Sequence, residues 1–414
     1  MLCNLKLLPL IILPISLLIS SGAADGVVIL SIIFFLIYSI KFKDFYWIKD
    51  KFFILLLIFY IYLLINYYFS QSREESFGRA FSFIRFPLFI MSVKYFFLKD
   101  FYKINLIIRF WILIITIVLI DTLIQYQYGK NILGYPVLMM GDQVRLSSFL
   151  NEEYKIGGYL LVFSFIIFSY LADAIFKKSF YNKLFILSFY LLSLTTIYLT
   201  GERSNFIIFF LCSILFIFFS DFKIKYKIAS LVFLLIFTLF LFKFDPKLKI
   251  RLVDGTKDIV KYQNLNFIES ILQSQYGAHY ITAYQIFKDY PFMGSGIKTF
   301  RVVCEDKKYE NYNIPWIKSR CTTHPHNVIL EFLSELGIVG ALLFMLFFTY
   351  LLFINIISFF RNKNNFLSGL IICSALFYFP ILPRGSFFTN WNAIIFWTTI
   401  SLLISFSNIR KNKS

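Results

Sequence analysis

Apolar runs of membrane-spanning length recur from one end of this chain to the other, and nothing else constrains its fold as strongly. Roughly 20 helical residues cover the hydrocarbon core of a bilayer. Hydrophobic residues make up 59% of the 414, with 55 phenylalanines, and mean hydropathy is +0.72. The expectation is an all-α polytopic membrane protein with about twelve transmembrane helices. Their predicted limits lie near 5–21, 26–41, 52–69, 80–98, 104–125, 156–176, 183–200, 204–220, 227–243, 337–359, 365–382 and 388–408. The start from Leu5 to Ile19 reads as a first span, with a signal peptide as the alternative.

The net charge of +18 matters less than its placement. Basic residues cluster at Lys41–Lys51, Lys99–Lys103, Lys177–Lys183, Lys223–Lys227, Arg361–Lys363 and Arg410–Lys413. Twelve crossings put all six clusters on one side, the cytoplasm, together with both termini. That pattern is an orientation signal and excludes a nucleic-acid footprint. The five cysteines show no metal-ligand spacing, and neither metal nor cofactor is expected.

Three regions follow. Residues 1–243 hold the first nine spans, 244–336 form one large, mostly helical outer loop, and 337–414 hold the last three spans and a cytoplasmic tail. A second outer segment runs from Tyr126 to Lys155. No fixed-period repeat is apparent.

Four polar elements fall on the outer side. Gly201-Glu202-Arg203-Ser204 is a tight turn between two apolar helices, where an arginine usually meets an anion; a snorkelling pair with Glu202 is the plainer reading. Arg145-Leu-Ser-Ser-Phe149, with Glu152, Glu153 and Gly157-Gly158, leads into a span. His279 precedes the Pro291–Gly296 turn, whose Gly-Ser-Gly has no dinucleotide-binding context. Last comes Arg320-Cys321-Thr-Thr-His324-Pro-His326-Asn327. Asn327 reads as the cap of a short helix stopped by Gly337, so its N-terminus beside His326 suits a phosphate. Imidazole titrates nearest neutrality and suits proton transfer there. Pro325 holds His324 extended, so the two rings are expected to point apart. Cys304 and Cys321 share the large loop and would pair in an oxidising compartment.

This ordered set resembles the O-antigen ligase and O-antigen polymerase superfamily of bacterial polytopic membrane glycosyltransferases. The resemblance runs from Asp121–Gln125 with Gly129–Gly134, through Arg145–Phe149 with Gly157-Gly158, Gly201–Ser204 and Pro291–Gly296 with Phe300. It ends on His324–Glu331 and Glu335–Gly340. It implies inverting, metal-independent transfer of a glycan from an undecaprenyl-pyrophosphate carrier in the inner membrane, at a periplasm-facing site, in lipopolysaccharide or surface-polysaccharide synthesis. The acceptor would be a hydroxyl of the lipid A core (ligase) or of another carrier-linked repeat (polymerase). Arg203 and His326 match the motifs of a pyrophosphate-binding arginine and an acceptor-assisting histidine. A second arginine usual in the large loop is missing. His279, Arg320, Arg301 or Arg145 could replace it, with His324, Asn327 and Glu152 as further binding candidates. A flippase or transporter is the competing class, disfavoured because the polar residues gather at one face rather than at mid-membrane.

Overall fold

The computed structural model describes residues 6–140, 143–176, 179–245, 267–312, 314–376 and 383–411. Lys177, Lys178 and Lys413 of the expected basic clusters lie outside the described residues. So do Leu5, residues 246–266 of the large loop and 377–382 of the eleventh expected span.

The chain is helical nearly throughout. In order come α1 (Leu8–Ile19), α2 (Ser21–Phe42), α3 (Lys51–Tyr68), α4 (Arg73–Ser82), α5 (Arg85–Ser92), α6 (Phe101–Tyr128), α7 (Ile156–Ala174), α8 (Phe180–Leu199), α9 (Arg203–Phe219) and α10 (Ile224–Phe244). The large loop holds α11 (Phe267–Leu272), α12 (Gln275–Asp289) and α13 (Phe300–Val303). Then follow α14 (Val328–Arg361), α15 (Asn365–Leu376) and α16 (Asn390–Lys411). Among the described residues nine helices are long and apolar enough to cross a membrane, with α4 and α5 counted as one continuous stretch. The shorter apolar helices α1, α9 and α15 fall where the other three spans were expected. One departure from an all-helical chain is a small antiparallel hairpin, β1 (Leu138–Met140) with β2 (Gln143–Arg145), pairing Leu138 with Arg145.

Local chemistry starts these helices where they start. Ser20, Asp50, Asp100, Ser179 and Ser274 each accept a hydrogen bond from a first-turn N–H of the helix that follows. Gly129, at φ 73°, closes α6 in the left-handed region that glycine favours. Helices α7 and α16 form the centre of the bundle, their apolar windows 83% and 89% buried, whereas α10 is only 17% buried and faces outward. Outward apolar side chains such as Phe218, Ile236 and Leu239 suit lipid. Arg85, on an expected span, is not left bare: it pairs with Asp25 at 3.0 Å and shares Asn390 with Arg79. These contacts tie α16 to α2, α4 and α5.

The longest helix is broken. At Gly337 the backbone of α14 leaves helical geometry (φ 64°, ψ −174°), so the expected stop at this glycine is real. The Pro291–Gly296 turn closes the gap. The N–H groups of Ile338 and Val339 donate to the carbonyls of Pro291 (2.8 Å) and Phe292 (3.3 Å). The N–H groups of Ser295 and Gly296 donate to the carbonyls of Ser334 and Glu335, both at 2.9 Å. From α3, the Tyr62 hydroxyl donates to the Leu336 carbonyl, and Asn66 binds both the Glu335 carbonyl (3.0 Å) and the Ile297 N–H (2.9 Å). Each unsatisfied backbone group at membrane depth would cost several kcal/mol.

Glycine is required on both sides of this interlock. A Cβ on Gly294 would lie 2.3 Å from the Glu335 carbonyl carbon, and one on Gly337 2.3 Å from the Phe292 oxygen. Both have positive φ, as does Gly134, where a Cβ meets nothing within 4 Å. The left-handed conformation alone costs an alanine about 1–2 kcal/mol, and overpacking adds roughly 1–3 kcal/mol. Gly294→Ala and Gly337→Ala should therefore lower the melting temperature of the purified protein well beyond Gly134→Ala. Equal shifts in all three would mean that the turn and the break do not pack against each other.

Candidate active site

The segment between α6 and α7 is folded by two polar side chains at the end of α6. Gln125 accepts from the N–H groups of Ser147 (2.9 Å) and Ser148 (2.7 Å) and donates to the Tyr135 and Pro136 carbonyls. Asp121 accepts from the Ile132 N–H (2.9 Å), Asn131 and the Ser148 hydroxyl. This folding presents Arg145, whose guanidinium lies over the Tyr154 ring at 5.2 Å.

Next to it, the turn between α8 and α9 plugs into the start of α7. The half-buried Glu202 carboxylate accepts from the Gly157 N–H at 2.6 Å and from the Asn205 amide. A Cβ on Gly157 would come within 2.9 Å of that carboxylate. Arg203 opens α9, where the positive end of the helix dipole adds to its own charge.

The large loop supplies the histidines. Asn327 caps the half-helix Val328–Leu336 by accepting from Leu330 N–H at 3.1 Å. The rings of His324 and His326 lie 4.1 Å apart, and His279 is 5.5 Å from His326. The expectation that the two motif rings point apart is therefore overturned. His326 adopts a left-handed backbone (φ 56°), which turns the chain back so that the rings meet; a residue other than glycine held so carries about 1–3 kcal/mol of strain. His324 Nε2 donates to the Arg384 carbonyl (3.0 Å), while its Nδ1 meets the Thr323 hydroxyl. With Nε2 committed as donor, a neutral ring accepts the Thr323 hydroxyl at Nδ1. His279 Nδ1 donates to the Arg320 carbonyl at 2.9 Å.

Burial, reinforced by neighbouring histidines, holds His324 down at about 3 and His326 at about 4, and burial lowers His279 as well. All three are uncharged at neutral pH. An anion arriving beside His326 would raise its basicity, because an adjacent negative charge favours the imidazolium.

The fourth wall comes from the segment before α16. Arg384 N–H donates to the His326 carbonyl at 2.9 Å, and its guanidinium donates to Asn205. Two residues on, the Ser386 hydroxyl and the Phe387 N–H both bind Glu331 of α14, and Lys298 Nζ donates to Ser386 Oγ at 2.8 Å. This places Arg384 firmly against the histidine motif.

These four walls border an open cavity of about 270 Å³ lined by Arg145, Lys155, Glu202, Arg203, Tyr276, His326, Arg384 and Trp391, among others. Of the residues singled out in the sequence, Arg145, Arg203 and His326 share it. The others are placed elsewhere. His279 and His324 are buried behind His326, and Asn327 is a helix cap. Glu152 is exposed. Arg320 is spent inside the loop on the Cys304 and Glu305 carbonyls and Glu310, and Arg301 faces Glu75 at 3.7 Å. Cys304 and Cys321 are joined as a disulfide, Cα atoms 5.4 Å apart. Arg384 was missed by the sequence reading. Among the described residues no His, Cys, Asp and Glu cluster could hold a metal ion.

Four cationic side chains and one half-buried carboxylate line one cavity of a polytopic membrane protein, which leaves it net positive. The family model described as O-antigen ligase matches residues 188–345, from α8 through the large loop into α14. That stretch carries Arg203, the Pro291–Gly296 turn and His326, and over it the chain is similar to the O-antigen ligase family. This is a family of glycosyltransferase-type membrane enzymes acting on lipid-linked glycans. No curated protein matches the chain.

Glu202 makes the cavity pH-sensitive. Burial pushes its carboxyl up to about 7, against the opposing pull of Gly157 N–H, Arg145, Asn205 and Arg384. Below that pH the group is neutral; above it the carboxylate cancels part of the cationic field. Anion affinity should fall by about five- to tenfold between pH 6 and 8, or roughly 1 kcal/mol for one added charge in a partly screened site. Sulfate, whose charge is constant over this range, is a suitable probe in a thermal-protection titration. Glu202→Gln should flatten the dependence; an unchanged slope in that variant would assign it to another group.

Proposed function

We propose that this protein moves a glycan from an undecaprenyl-pyrophosphate carrier to a sugar hydroxyl. The observation that carries the reading is the meeting of Arg203, from the turn before α9, with His326, from the large loop, at a single cationic cavity. Arg203 at a helix N-terminus stabilises the departing diphosphate. His326 accepts the proton of the acceptor hydroxyl as its oxygen attacks the anomeric carbon. The bond from that carbon to the diphosphate oxygen breaks, the electron pair leaves with the phosphate, and the anomeric configuration inverts. No metal enters the scheme.

In this reading all twelve apolar helices cross the inner membrane, both termini lie in the cytoplasm, and the cavity faces the periplasm. The three regions 1–243, 244–336 and 337–414 then serve as first bundle, catalytic outer loop and closing bundle. The disulfide between Cys304 and Cys321 supports an oxidising outer compartment for the loop. Of the five cysteines, protein from cells should expose only three thiols on denaturation without reductant, and all five after reduction. Five free thiols before reduction would argue against an outward-facing loop.

The decisive assay incubates the purified protein with carrier-linked glycan and offers either a lipid A core or a second carrier-linked glycan as acceptor. Transfer to the first makes it a ligase; chain growth with the second alone makes it a polymerase. Arg203→Ala and His326→Ala should each reduce transfer at least about a hundredfold, as loss of an electrostatic stabiliser or a general base does, while protein levels stay near normal. Retained activity in either variant would remove that residue from the mechanism.

A further inference from the structure

A diphosphate presents two anionic groups, and one guanidinium satisfies only one of them well. Arg203 approaches the cavity from the start of α9. Among the other cations lining it, Arg145 lies over the Tyr154 ring, and Lys155 pairs with Glu153 at 2.6 Å. Arg384 differs from both. It arrives from a separate wall, is half-buried, and its guanidinium donates to Asn205 of the α9 turn within the field of Glu202. Its main chain bonds to both motif histidines: its N–H donates to the His326 carbonyl, and its own carbonyl accepts from His324 Nε2. The candidates from the large loop, Arg320 and Arg301, do not line the cavity.

We infer that Arg384 is the second diphosphate-binding guanidinium of this cavity, gripping the phosphate that Arg203 does not and setting the preference for diphosphate over monophosphate lipids. This rests on the pyrophosphate-carrier reading above. The segment 383–392 then has two tasks in one place: its side chain holds the leaving group, and its backbone holds the histidine pair. A ligand pulling on the guanidinium also loads the hydrogen bonds that position His326.

The test is binding of undecaprenyl diphosphate and undecaprenyl monophosphate to the full-length protein in nanodiscs, measured by native mass spectrometry. The wild type should prefer the diphosphate at least about tenfold. Arg384→Ala should lose that preference and bind both lipids with similar, weakened affinity. Arg384→Lys keeps the charge but not the two-pronged fork, so it should retain intermediate affinity with reduced preference, and it decides the question if the alanine variant does not fold. Wild-type preference in a folded Arg384→Ala, or in Arg384→Lys when alanine does not fold, overturns the inference. Arg203→Ala separates the two levels of the argument. If it loses diphosphate binding while the Arg384 variants do not, only Arg384 is misassigned. If no variant changes binding, the pyrophosphate reading itself fails.

Discussion

A helix interrupted within reach of lipid must have its loosened peptide groups satisfied by protein, and this constraint organises the structure. The break at Gly337 opens N–H groups on one side and carbonyls on the other, and a glycine-rich turn from the large loop fills both sets. Side chains from α3 complete the closure. The large loop is thereby locked to the bundle next to its histidines. The short half-helix Val328–Leu336 carries Asn327 and His326 at its start and Glu331 on its flank, so the same break fixes His326 and, through Ser386 and Phe387, the segment bearing Arg384.

The electrostatics of the cavity follow from burial. Histidines packed close together and largely buried stay neutral, which leaves the arginines and Lys155 to define the field. Glu202 is the one acidic side chain among the lining residues, and its main task is mechanical, joining the first turn of α7 to the turn before α9. A carboxylate placed there for packing reasons still tempers the anion site.

Much of this was legible in the sequence because hydropathy runs report helices directly and polar residues between them are few. The Arg203 turn, the Asn327 cap, the Gly337 stop and the Cys304–Cys321 pair could all be read locally. What could not be read was long-range geometry. Arg320 stands four residues from His324 in the chain, yet its guanidinium is consumed by the Cys304 and Glu305 carbonyls and Glu310. Arg384 stands 58 positions from His326 yet touches it. A signal for it did exist: Pro383-Arg384-Gly385 is an arginine in a short break between apolar runs, the same pattern that singled out Arg203. The mutual approach of the His324 and His326 rings was hidden because a left-handed φ outside glycine leaves no mark in composition.

The cavity draws its walls from residues as early as Arg145 and as late as Asn392, and α16 is the last of the described helices and among the most enclosed. A nascent or prematurely terminated chain holds the early arginine and the histidine with no chamber between them. A chain cut before Pro383 keeps Arg145, Arg203 and His326 but lacks the wall that closes the cavity beside them.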